Sequence, residues 1–212
     1  MADRPLVTGC AFCRDQPERA PLWVGERYRI LADEYPRCAG HVLLVTLAHL
    51  ASHMHAPLAW MPEFLATQEQ VRSFLRQTFG HATFYENGGA RQEVPHAHLH
   101  GLPFAPEIPA SWIKDGWIEP IAGWEDARRE RERVGHYFYL ETDEGRWLVR
   151  RYKKVLNGVR EQLVGQTEAN LDPETGKMLR GGPETVARTA ELWHSWEAGQ
   201  ASDQDAKARL EL

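Results

Sequence analysis

The sequence predicts an α+β fold: a mainly antiparallel sheet with one long helix, followed by a C-terminal extension of hairpin and helices. Three observations carry this. Histidines alternate in Pro95-His96-Ala97-His98-Leu99-His100-Gly101-Leu102-Pro103, which is the period of a strand. Apolar residues recur at helical spacing between Pro57 and Phe79. The order of segments is hairpin, strand, helix, strand, strand, which suits an antiparallel sheet.

Each element has a local cause. Residues 1–20 are loop-like and carry Cys10 and Cys13. Pro21–Trp23 and Arg27–Leu31 form a short hairpin around Val24-Gly25-Glu26. Val42–Leu47 is an uninterrupted apolar run and so a buried strand. The helix starts at Pro57, shows Leu58, Met61, Leu65, Val71, Phe74 and Leu75 on one stripe, and stops at Gly80. His81–Glu86 is a strand, a Gly-rich loop follows, and His96–Phe104 is the triad strand, with Ala97 and Leu99 facing a core. In the extension, Trp112–Arg133 ends in a mixed-charge helix whose charges are expected in solvent. Tyr137–Glu141 and Arg146–Arg150 form a second hairpin through Thr142-Asp143-Glu144-Gly145. Tyr152–Val164 and Glu184–Trp196 are helices separated by a loop over Asn170–Pro183, and the end of the chain frays.

Composition narrows the class. The chain has 212 residues, 42% hydrophobic and 26% charged, which suits a globular protein of one large domain or a domain with an appendage. No apolar run approaches the roughly 20 residues of a membrane helix, and MADRPLVTG has no apolar signal core, so a cytoplasmic location is expected. The net charge of −5 argues against non-specific duplex binding, so nucleic acid is not an expected partner. The eight tryptophans are expected to fill the core.

Three imidazoles on one ridge need a reason, because a structural strand would place Val, Thr or Tyr there. Imidazole is a nucleophile, a proton shuttle and a metal ligand near neutral pH. Catalysis, a histidine metal strand and three structural histidines are the available readings. Cys10-Ala11-Phe12-Cys13 offers two thiolates on a tight turn. A disulfide is disfavoured in a cytoplasmic chain, and no strand-to-helix turn suggests a redox pair. Tetrahedral zinc suits the pair but needs two more ligands; two free thiols are the alternative. Cys38 is expected to be a small buried apolar residue.

His96-Ala97-His98-Leu99-His100-Gly101-Leu102 resembles the signature of the histidine-triad (HIT) superfamily of nucleotidyl hydrolases and transferases. Only Gly101 departs from it, where an aliphatic residue is usual. Asp33 to Leu47 resembles the family's Asp/Asn-x-x-Pro-x-x-x-Gly-His and the hydrophobic strand that follows it, and Glu86-Asn87-Gly88-Gly89 its Gly-rich loop. Tyr85-Glu86-Asn87-Gly88 with Pro95-His96-Ala97-His98 is also similar to the galactose-1-phosphate uridylyltransferase branch. The resemblance spans about residues 8–105. It implies a HIT-like nucleotide-binding catalytic domain over 1–105, an extension over 106–200 serving as lid, cap or dimer element, and a flexible tail over 201–212.

The function so implied is a nucleotidyl hydrolase. It cleaves a phosphoanhydride or phosphoramidate at the α-phosphorus through a covalent intermediate on His98. His100 and His41 donate to the phosphate oxygens, and Asp33, Asn87 and Gln92 bind the nucleotide. A structural Zn²⁺ is implied on Cys10, Cys13, His49 and His96, with His53 and His55 as substitutes for His49. A homodimer through the long helix and sheet is implied as well. Glu93 stands where many hydrolases of the family carry Ser or Thr, and Arg91 is its expected pair. Two other functions remain open. One is a transferase or phosphorylase passing the nucleotidyl group to phosphate or a sugar phosphate, although those branches typically have Gln at the position of His100. The other is a non-catalytic nucleotide- or RNA-binding module using Arg150, Arg151, Lys153 and Lys154.

Overall fold

Strand pairing in the computed structural model, which describes residues 7–13, 20–166 and 181–210, gathers eight strands into one antiparallel sheet. The strands are β1 (Trp23–Val24), β2 (Tyr28–Ala32), β3 (Val42–Thr46), β4 (Thr83–Gly88), β5 (His98–Leu102), β6 (Ile118–Pro120), β7 (Tyr137–Thr142) and β8 (Gly145–Val149). Their order is β1-β2-β3-β5-β4-β7-β8-β6. Helices α1 (Met61–Phe79), α2 (Ala110–Lys114), α3 (Trp124–Val134), α4 (Tyr152–Gln166) and α5 (Pro183–Leu210) complete the described chain. No helix among the described residues is long and apolar enough to cross a membrane.

Strand alternation divides the sheet into two faces. Ile30, Val42, Leu44, Phe84 and Leu99 point to the face covered by α1, α3 and α5, where Phe64, Phe74, Trp124 and Trp193 fill the main core. Leu102, Leu140, Trp147 and Val149 belong to a second cluster with Val155, Val159 and Leu163 of α4. Leu31, Leu43 and Val45 meet Cys10 and Phe12 in a third. Trp112, Trp124, Trp147 and Trp193 are all buried, as expected of core-fillers. Cys38 is buried as expected.

Four expectations change at the level of elements. The long helix begins as a 3-10 turn over Leu58–Trp60 and becomes α-helical only at Met61, with Pro62 in its first turn. Its buried stripe is Phe64, Thr67, Gln68, Val71, Phe74 and Leu75, whereas Leu58 and Leu65 are exposed. The triad strand starts at His98, because His96 and Ala97 are drawn towards the segment before the helix, where Ala97 donates to the Leu50 carbonyl at 2.6 Å. Trp112–Arg133 ends in a helix as expected, α3, and ahead of it lies a strand the sequence did not announce, β6, which pairs with β8. On α3, Arg128 and Glu130 are buried rather than solvated, with Arg128 donating to the Met54 and Ala56 carbonyls and Glu130 paired with Arg133 and Arg150. The loop expected at 170–183 lies outside the described residues up to position 180.

Gly101 has a packing cause. A Cβ there would lie 2.9 Å from Val71 Cγ1 and 3.2 Å from Val42 Cγ2. Helix α1 crosses β5 too closely for a side chain at that point.

Candidate functional site

On the face opposite α1, a cavity of about 210 Å³ opens over the middle of the sheet. Its floor is set by register: His100 lies opposite Leu43 on β3 and Tyr85 on β4, and His98 lies opposite Val45. His41, His98, His100, Asp33 and Asn87 all line it, together with Arg91 and Glu93. Gln92 does not line it; its amide donates to the His96 carbonyl at 3.4 Å.

The hydrogen bonds define which ring nitrogen carries each proton. His98 Nδ1 donates to the His96 carbonyl at 2.6 Å, so its Nε2 keeps the lone pair. The Arg37 backbone amide donates to His41 Nδ1 at 3.1 Å, so His41 carries its proton on Nε2. That N–H is 3.0 Å from His100 Nδ1 and 3.3 Å from Asp33 Oδ2. With its Nδ1 accepting, His100 presents Nε2–H. The ring of His100 is stacked on Tyr85 with centroids 4.2 Å apart and planes within 8°. Asp33, His41 and His100 are close enough to hold a cation. The Arg37 amide opposes this, because it needs the His41 proton on the nitrogen that would have to ligate.

Burial governs the charges. It lowers His98 below the ordinary imidazole value despite the His96 carbonyl bond, and it lowers His41 despite Asp33. Both rings are therefore neutral at pH 7.

A second cluster stands beside the cavity. Cys10, Cys13, His49 and His96 bring four ligand atoms within 4.8 Å of one another, so they could hold a metal ion. His96 Nδ1 is 3.5 Å from both sulfurs, and His49 Nδ1 is 3.3 Å from Cys13 Sγ. His96 Nε2 lies 2.8 Å from the Thr46 carbonyl, which takes its proton and turns the Nδ1 lone pair towards the thiols. Burial pulls His96 down to about 4. Burial also raises the Cys13 thiol, and Cys10 adds to that rise. His53 is engaged elsewhere: its Nδ1 and backbone amide both donate to buried Glu86, which also accepts from the Tyr137 hydroxyl. His55 bonds Ser52.

The two clusters share a wall. Phe12, between the cysteines, lines the cavity with its ring 5.3 Å from His98 and 5.7 Å from His96. Phe12, Arg37, Tyr85 and Tyr152 are site residues that sequence reasoning missed. Tyr85 was accessible, since it lies two residues before Asn87 on the same strand face. Tyr152 carries no local signal; it arrives from α4 and accepts from Asn87 Nδ2 at 3.1 Å.

Comparison with known proteins finds a family match over part of the chain and distant likenesses to solved structures. Residues 22–106 match the model of the HIT domain. A zinc-bound histidine-triad family protein from Mycobacterium smegmatis is 22% identical over 45% of this chain and 74% of its own, with a TM-score of 0.37. A HIT family hydrolase from Clostridium thermocellum is 22% identical over 49% and 96%, with a TM-score of 0.38. A hypothetical protein from Leishmania major is 20% identical over 60% and 96%, with a TM-score of 0.40. No curated protein matches the chain.

Proposed function

From the HIT domain over residues 22–106, we propose that this chain is a nucleotidyl hydrolase that cleaves a phosphoanhydride or phosphoramidate through a nucleotidyl-His98 intermediate. The observation that carries this reading is the 2.6 Å bond from His98 Nδ1 to the His96 carbonyl, beside the cavity His98 lines. It supports a neutral imidazole whose Nε2 lone pair is available to phosphorus without prior loss of a proton.

In the first step Nε2 forms a bond to the α-phosphorus, and the bond from phosphorus to the leaving group breaks with its electron pair. The leaving group takes a proton from solvent or a neighbouring acid. His100 Nε2–H donates to a non-bridging oxygen as charge develops there. His41 holds His100 in the donating tautomer, and Asp33 accepts from the ribose hydroxyls. In the second step water attacks phosphorus and releases a proton to solvent, while the P–N bond breaks and its electron pair returns to Nε2. Asn87 adds an amide donor from the end of β4.

Zinc on Cys10, Cys13, His49 and His96 is part of the reading. Zinc held by sulfur at roughly 2.3 Å and nitrogen at roughly 2.0 Å sets S···N edges of about 3.5 Å. The 3.3–3.5 Å separations fit that tetrahedron. Four protein ligands would leave no open position, so a bound ion would contribute structurally, with Phe12 and His96 held beside the nucleophile.

The test is incubation with ATP, GTP and a dinucleoside polyphosphate, each radiolabelled at the α-phosphate, followed by counting of protein-bound label and released nucleotide. The expected result is acid-labile, base-stable label and product with the wild type and neither with His98→Ala. Unchanged turnover in His98→Ala would sink the mechanism. Product linked to added phosphate or sugar phosphate would redirect it to transfer.

A further inference from the structure

We infer that Thr189, on α5 in the extension, is a positioning residue for the proposed reaction: its hydroxyl holds the loop that presents His41 to His100. The inference rests on the reading of His41 and His100 given above. Thr189 is far from the cavity in sequence and does not line it. It is fully buried, and its Oγ1 accepts from the Gly40 amide at 3.0 Å while donating to the Thr185 carbonyl at 2.9 Å. The hydroxyl is thus satisfied in both directions, and Gly40 is the residue immediately before His41.

The same loop is gripped at other points. The Gly181 amide, just before α5, donates to the Pro36 carbonyl at 2.6 Å. A Cβ on Gly181 would fall 3.0 Å from the Pro36 ring. On the other side, Gly40 adopts a left-handed φ of +85°, and a Cβ on it would lie 2.6 Å from the Phe79 ring. Gly40 therefore runs between α5 and the end of α1. Helix α5 is fixed in turn by fully buried Trp193, whose ring centroid is 5.0 Å from that of Phe74, and by Trp196 donating to Gln77 at 2.8 Å.

Between these grips sits a five-residue turn. Arg37 N–H fixes the His41 ring, and the His41 amide closes the turn onto Cys38 at 3.3 Å. Release of the Gly40 amide would leave a buried donor unsatisfied unless the turn moved. Movement of the turn changes the bond from Arg37 to His41 Nδ1, and with it the tautomer that delivers a proton towards His100. The extension thereby acts on the site through the His41 loop.

Two readouts test this on the full chain. The first is the imidazole ¹⁵N spectrum of His41 and His100, which reports tautomers without any substrate. The second is the single-turnover rate of nucleotidylation. Thr189→Val removes the acceptor at nearly constant shape, and Thr189→Ser keeps it. Thr189→Val is expected to move the His41 signals towards tautomer averaging. It should also slow nucleotidylation by about tenfold or more, with nucleotide affinity changed by less than about twofold. Thr189→Ser is expected to restore both. Thr189→Val with the wild-type imidazole spectrum and rate would overturn the inference, as would equal losses in the Ser and Val variants. Should Thr189→Val fail to fold, hydrogen exchange at the Gly40 amide of the wild type decides: fast exchange overturns the proposal and strong protection supports it. If the wild type is never nucleotidylated, the proposed reaction falls, while the imidazole spectra still decide the role of Thr189.

Discussion

At the scale of single residues, the site depends on three ring tautomers, and two are set by backbone groups. The His96 carbonyl fixes His98, and the Arg37 amide fixes His41. This gives a pH prediction with a definite sign. Burial lowers His98 below the ordinary imidazole value near 6.5, so the ring stays neutral down to and below that pH. The single-turnover rate is expected to be flat from pH 8 to about 6.5 and to fall only at lower pH. A fall that begins above pH 7 would contradict the role of His98. Stability follows the same sign. His41 and His98 have folded values below their unfolded ones, so the unfolded chain binds more protons as pH drops through about 6.5. Urea midpoints should be highest above that pH and decline below it. The histidines themselves were legible in the sequence from their alternation. Their tautomers were not, because a backbone amide or carbonyl looks the same under every side chain.

At the scale of elements, the strands and hairpins followed from apolar runs and turn residues, and the register then set which residues face the cavity. The missed parts share one cause. Tertiary pairing overrode local pattern where β6 was recruited by β8 and where α3 buried charges that its sequence assigns to solvent. Helix α1 gives a test of this packing. Gly101→Ala would press a methyl against Val71 and is expected to cost ~1–3 kcal/mol in urea denaturation. An unchanged midpoint would mean that α1 has room to move off β5. The Cys-x-x-Cys turn gives another. Purified chain is expected to hold zinc at one equivalent. Removal by a chelator should lower the stability by roughly 2 kcal/mol or more relative to the loaded protein. Cys13→Ser should behave like the stripped wild type, and a metal-free protein of unchanged melting temperature would exclude the site.

At the scale of the whole molecule, one sheet runs through both the segment that matches the HIT domain model and the extension. The resemblance ends near residue 105, but the hydrogen bonding continues: β7 pairs with the outer side of β4 over five residue pairs. That continuity could not be seen in the sequence, since the second hairpin was recognisable as a hairpin but not as a neighbour of β4. The expected homodimer through helix and sheet meets a chain that already uses both surfaces. β7 takes the edge of β4, and α5 lies along α1 through Trp193 and Trp196. We therefore predict a monomer by light scattering after gel filtration. A stable dimer would require another surface, and exposed Leu58 and Leu65 would be the first positions to mutate.

The placement of β7 also bears on how the protein can be cut. Strand β4 carries Tyr85 and Asn87 into the cavity and Glu86 into the core beneath it. Trimming the chain to its recognisable domain would bare the backbone of that strand, leave the Glu86 carboxylate without the Tyr137 hydroxyl, and offer a ready template to any neighbouring chain. Such a fragment should form aggregates rather than a smaller folded protein.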